Sequence, residues 1–171
     1  MKPAGDGLKD ILSAWLSARV EAHGFAPVEG FDEAPQNHHP GAICNDASNV
    51  IVYARTIPRA VITSPSYHLH LLQRTYHTAY QSLDQVGLEL ANLIESEGYS
   101  AVEVPAYAPM VFHGLEPWGL ISLKHAARLA GLGAFGRNEI IHHPGFGLML
   151  RFGAVITDAP LPADAVLEED P

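Results

Sequence analysis

Cysteine is nearly missing from this sequence. Cys44 is the only one among 171 residues, which excludes both an internal disulfide framework and a thiolate metal cluster built by this chain and fits a cytosolic protein. Charge is sparse as well: 17% of residues carry it, and 10 basic residues stand against 19 acidic ones for a net charge of -9. The shortage of lysine and arginine argues against nucleic acid or an anionic membrane surface as the main partner, because both reward basic side chains. It leaves room for an anionic cofactor held by backbone N–H groups and a few arginines. A sparsely charged surface implies that part of it is covered by another molecule, which is compatible with a homodimer. No apolar run approaches the ~20 residues that span a bilayer, and the opening MKPAGDG has neither the charged nor the long apolar region of a signal peptide. One soluble, cytoplasmic domain is the expectation.

What is present is an alternation of helical and extended patterns. Leu8, Ile11, Leu12, Trp15, Leu16 and Ala22 recur at steps of three and four, predicting a helix over 8–22 that Gly24 ends. SNVIVYARTIP, 48–58, is β-branched and reads as a buried strand running into Pro58. Ser64 followed by Pro65 predicts a helix start, and the stripe Leu69, Leu72, Tyr76, Leu83, Val86, Leu90 and Ile94 carries it to Gly98 as the central packing element. A strand follows at 99–105, then a proline-, glycine- and aromatic-rich loop at 106–119 of the kind that lines sites. ISLKHAARLA predicts a further helix, GLMLRFGAVITDAP a long strand, and PLPADAVLEEDP an acidic tail. The mixture predicts an α/β or α+β sandwich.

GLGAFG, 131–136, fits the G-x-G-x-x-G spacing of a dinucleotide site, but here a helix precedes the glycines and a strand follows, the reverse of that fingerprint. Five glycines and Pro144 between Gly131 and Gly147 can serve turns and a helix cap, or can bare the backbone for a large flat ligand. The histidines, with His68 and His70 in YHLH and His38, His39, His142 and His143 elsewhere, match no metal-site spacing and read as surface or hydrogen-bonding residues. Cys44 reads as a small buried residue.

The run KHAARLAGLGAFGRNEIIHHPGFGLMLRFGAVITDAPLP, 124–162, resembles the corrinoid-binding part of the epoxyqueuosine reductase and reductive dehalogenase superfamily. SNVIVYARTIP and the helix ending ESEGYSAVEVPA resemble that family's early strand and its helix and following strand, so the resemblance covers most of the chain. It implies a nitroreductase-like, cobalamin-trafficking-protein-like α/β sandwich over residues 1–160, holding cobalamin at its open side. It also implies an acidic tail at 161–171 leading towards a ferredoxin-like domain with two [4Fe-4S] clusters. The chain ends at LEEDP, where the first cluster cysteines are expected, so electrons are expected from a downstream domain or a separate ferredoxin-like protein.

By the same resemblance, Gly131, Leu132, Gly133, Phe135, Gly136 and Asn138 match the corrin-facing turn, with Arg137 suited to the anionic part of the cofactor. Pro144, Gly147 and Arg151 match the segment that closes over it, and the family holds the corrin without a protein histidine ligand. The epoxyqueuosine branch carries an aspartate-threonine pair before the glycine helix; here the stretch is PWGL, 117–120, so the acid is missing. That departure leans toward a dehalogenase-like reduction of a small-molecule substrate, with Tyr107 and Lys124 as candidate proton donor and partner. A corrinoid carrier without turnover and a flavin-binding relative of the same fold remain the alternatives.

Overall fold

The computed structural model describes residues 5–35, 37–107 and 109–167. Four antiparallel strands form its centre: β1 (Ala22–Pro27), β2 (Asn49–Thr56), β3 (Ala101–Val104) and β8 (Leu150–Thr157), in the order β1-β2-β8-β3. Two small hairpins lie outside it, β4 (Val111–His113) with β5 (Glu116–Trp118), and β6 (Ala134–Phe135) with β7 (Ile141–His142). The helices are α1 (Asp6–Ser17), the single turn α2 (Arg59–Ile62), the long α3 (His68–Ser96) and α4 (Leu123–Leu129).

The central strand β2 is apolar at every position from Val50 to Ala54 because both faces of the sheet are covered. Alternate side chains point to opposite layers. Ile51, Tyr53 and Val155 meet Leu8, Leu12 and Leu16 of α1 and Leu83, Leu90 and Ile94 of α3. Val50, Val52, Ala154 and Ile156 meet Ala126, Ala127 and Ala130 at α4, together with Phe31 and Cys44. This is the expected α/β sandwich. Cys44 is buried, and burial pushes its thiol pKa up, so it sits in the core as a small apolar residue.

Several expected boundaries move. The first helix ends at Ser17, and residues 22–27 form β1 instead of its last turn. AHGFAP holds no β-branched residue; pairing with β2 imposes the strand. Gly24 is therefore a mid-strand residue, and it must be glycine because a Cβ there would overlap the carbonyl of Ala130 at the end of α4. Ser64–Pro65 makes a turn in which Ser64 Oγ donates to the Ser66 carbonyl at 2.7 Å, and α3 begins only after Tyr67, held at φ 60°. Only the second half of α3, from Leu83 onward, is buried. Its first half runs past the sheet and leaves Leu69 and Leu71 exposed.

The segment after β8 returns over the body. Leu161 is buried on the α1 and α3 side, Lys9 Nζ reaches Asp164 Oδ1 at 2.6 Å, and the Phe25 N–H donates to Asp164 Oδ2 at 2.9 Å. Residues 168–171 of the expected acidic tail lie outside the described residues. No helix among the described residues is long and apolar enough to cross a membrane.

Candidate functional site

The glycine-rich turn is built first by its own chain. The Gly131 N–H donates to the Arg128 carbonyl at 3.0 Å and the Leu132 N–H to the Ala127 carbonyl at 2.9 Å, the paired bonds of a Schellman helix end. Gly131 takes φ +70° as that motif requires, and a Cβ on it would overlap the Ala165 carbonyl. Leu132 drops into the core beside Ala127. Gly133, at φ +156°, passes so close to β7 that a Cβ would stand 2.5 Å from the His142 carbonyl oxygen. These three positions are occupied by the fold itself.

Beyond them the chain opens outward. Phe135 is packed edge-on by His125, 5.0 Å between centroids, while Arg137, Asn138, Glu139 and Ile140 form an exposed tip. The Gly136 N–H donates to the Ile140 carbonyl at 2.9 Å, and Asn138 Oδ1 accepts from the Ile140 N–H at 3.3 Å. The following turn, Pro144 to Gly147, is fastened by His143, whose Nδ1 accepts from the N–H groups of Gly145 and Phe146 at 2.9 and 3.2 Å. Burial, with His142 beside it, lowers the His143 pKa, consistent with a neutral ring accepting at Nδ1. His142 Nδ1 is buried without a partner, and Ile140 and Leu148 are exposed apolar residues on the same loop.

Where β8 begins, aromatic and cationic side chains collect beside the projecting half of α3. Arg151 donates to the Tyr76 hydroxyl at 2.6 Å, and its guanidinium lies 4.3 Å from the centre of the Tyr76 ring. Tyr80 stacks on Tyr107 at 5.2 Å with 15° between planes, and His77 meets Tyr107 edge-on. Burial raises the Tyr80 pKa, against the opposing pull of Arg151. Arg55 stands directly across from Arg151 in the β2–β8 register, and its Nε is buried without a partner.

The other face of the sheet holds a cavity of about 680 Å³ between α4, the 30–38 segment and the β4–β5 hairpin. Its wall includes Phe31, His38, Trp118, Lys124, His125 and Arg128. His38 is buried; its Nδ1 donates to the Gly119 carbonyl at 2.8 Å, which leaves Nε2 to accept from His113 Nε2 at 2.8 Å when the ring is neutral. Trp118 packs against both rings. No three histidine, cysteine or acidic side chains among the described residues converge as metal ligands.

The expected pairing of Tyr107 with Lys124 is not made. Tyr107 joins Tyr80 on the α3 side, whereas Lys124 belongs to α4 on the opposite face, 3.7 Å from Glu139 and over the Phe135 ring. The basic partner of the tyrosines is Arg151. The 106–119 loop also holds a hairpin, in which Pro117 and Trp118 lie on β5 opposite Phe112 and Val111. Sequence reasoning did not find Arg55, His38 with His113, or the Tyr76–Arg151 bond. Each joins residues far apart in the chain, and only the strand register or the hairpin brings them together.

No protein-family model matches the chain, and no curated protein matches it in sequence. Solved structures do match. An epoxyqueuosine reductase from Bacillus subtilis shares 17% identity at TM-score 0.64 over 95% of this chain and 48% of its own. One from Streptococcus thermophilus shares 15% at TM-score 0.65 over 95% and 49%. A reductive dehalogenase structure, described as suggesting a mechanism for B12-dependent dehalogenation, shares 16% at TM-score 0.66 over 94% of this chain and 20% of its own. The chain thus spans about half the length of the first two and a fifth of the third. A further matched epoxyqueuosine reductase was solved with a modified tRNA stem loop, so proteins of this fold include one that holds nucleic acid, and net charge alone is a weak reason to set that partner aside. At these identities the likeness establishes architecture: the chain has the fold that epoxyqueuosine reductases and reductive dehalogenases share over the matched region.

Proposed function

We propose that the chain is the cobalamin-binding domain of a reductase, closer in chemistry to the dehalogenases than to the epoxyqueuosine reductases. Its electrons would come from iron-sulfur clusters on a ferredoxin-like domain or protein. The observation that carries this reading is the match of nearly the whole chain to both enzyme groups. The outward part of the glycine-rich segment suits a large ring with apolar faces and amide edges: Ile140 and Leu148 offer apolar surface, while Arg137, Asn138 and the orphaned His142 Nδ1 offer polar contacts. Gly136, Pro144 and Gly147 shape the backbone between them. Gly131, Leu132 and Gly133 hold that loop on the body, and Phe135, packed by His125, supports it.

Bound there, a corrinoid would supply low-valent cobalt as the two-electron reductant. What the protein adds is a proton. Replacing a carbon–halogen bond by carbon–hydrogen takes two electrons and one proton and releases halide. With proline and tryptophan at 117 and 118, the phenols of this cluster are the candidate acids. Tyr76 accepts from Arg151 and so keeps its own hydroxyl hydrogen free to donate, while Tyr107, half exposed on Tyr80, stands at the mouth of the same cluster. Arg151 would steady a phenolate left after transfer. Lys124 is too far from this group to share the step and is left as a cavity residue.

The test is halide release from a halogenated phenol by the cobalamin-loaded chain under a strong chemical reductant. Release that falls at least tenfold in Tyr76→Phe or Tyr107→Phe is expected. Binding of cobalamin with no release above free cobalamin would favour a carrier without turnover.

A further inference from the structure

We propose that Arg55 and Arg151 form an oxyanion-binding site, which takes the phosphate or carboxylate group of a small ligand. The two residues are opposed across the β2–β8 pair, on the face that carries Tyr53 and α3. Side chains so placed start about 4.5–5.5 Å apart, and like charges there repel. A chain with 19 acidic and 10 basic residues could easily neutralise such a pair, yet no ion pair among the described residues involves either arginine. The ion pairs among the described residues are Lys9–Asp164, Arg19–Glu89 and Lys124–Glu139.

Two acids of the flanking elements accept from backbone N–H groups. Glu21 accepts from the Thr56 N–H at 3.2 Å, and Asp84, one turn along α3 from Tyr80, accepts from the Ala106 N–H at 2.9 Å. Arg55 Nε is closed off from water and has no hydrogen-bond partner among the described residues. A guanidinium in that state loses hydration without compensation unless something outside the chain supplies the acceptor. Arg151 spends part of its fork on the Leu150 carbonyl at 2.7 Å and on Tyr76. Because the Tyr76 oxygen accepts from Arg151, its own hydroxyl hydrogen is left free as a third donor. Two guanidiniums that no carboxylate among the described residues pairs, with a phenol beside them, suit an oxyanion, which accepts several charge-assisted bonds at once. The stacked Tyr80 and Tyr107 give the rest of the ligand an aromatic wall.

The proposal goes beyond the corrinoid reading and is tested without a corrinoid, so either can fail alone. The full chain is treated with phenylglyoxal, which modifies accessible arginines, with inorganic phosphate and benzoate as separate arms at matched ionic strength, and modified sites are mapped by mass spectrometry. Saturable protection of Arg55 and Arg151, with exposed Arg137 modified equally in all samples, is expected, and the arm that protects names the ligand's group. Arg55→Gln should weaken binding of the protecting anion at least tenfold, and Arg55→Lys should weaken it less. Protection by neither anion, or equal protection of Arg137, overturns the proposal. The footprint on the unaltered chain decides even if the variants fail to fold.

Discussion

Adding one methyl group at Gly133 separates an architectural glycine from one kept bare for a ligand. The Cβ of Gly133→Ala would stand 2.5 Å from the His142 carbonyl oxygen, 2.7 Å from Ile141 Cγ2 and 2.9 Å from the His142 carbonyl carbon. Two of these are backbone atoms of β7 and cannot rotate away, so the β6–β7 hairpin must shift. Overpacking of this kind costs about 1–3 kcal/mol, and the φ of +156° adds strain of similar order for a residue with a side chain. A combined loss of about 2–4 kcal/mol lowers the melting temperature by roughly 5–15 °C in a domain of this size. At Gly136 the nearest atom to an added Cβ is Asn138 Oδ1 at 3.3 Å, so Gly136→Ala should melt within about 2 °C of the parent, as surface substitutions do. Thermal melts of the two variants in the absence of ligand check this. A Gly133→Ala protein as stable as the parent would refute the argument that β7 fills the space.

Asp164→Asn should destabilise the protein by about 1–3 kcal/mol in denaturant titration, since it weakens the acceptor for both Lys9 and the Phe25 N–H. Burial, followed by Asp84, raises the Glu103 pKa, so its ionisation costs the folded state stability as pH rises through the raised value. Glu103→Gln should therefore melt higher than the parent at pH 7, and the difference should vanish below the ordinary carboxyl pKa of 4.5. His23, His125 and His143 are shifted the other way, chiefly by burial. The unfolded chain binds their protons first, so stability should fall as pH drops below 6.5, and a flat melting profile between pH 7 and 5 would contradict those environments.

The strands and helices that sequence patterns revealed are those whose own residues decide them. VIVYA, 50–54, is apolar throughout because both faces are covered, and the stripe from Leu83 to Ile94 marks the half of α3 that touches the sheet. β1 escaped because its extended form comes from β2 and its Gly24 from the approach of α4. The first half of α3 shows the converse. Leu69 and Tyr76 continue the apolar stripe without entering the core, so periodicity there signals a surface of another kind. The role of Gly131 in capping a helix was legible and holds, but the close approaches of Ala165 to Gly131 and of His142 to Gly133 are contacts that no local pattern announces. The opposition of Arg55 and Arg151 is a property of strand register, invisible until β2 and β8 are paired.

The central claim, that the loop from Gly136 to Gly147 and its surroundings receive a corrinoid, is tested most directly by titrating the unaltered chain with cob(II)alamin and following the visible spectrum. The account predicts a saturable change, one cofactor per chain, toward the base-off form, weakened in Gly136→Ala although that variant melts near the parent. A spectrum that stays that of free cob(II)alamin at high protein concentration, while flavin mononucleotide raises the melting temperature, would contradict it.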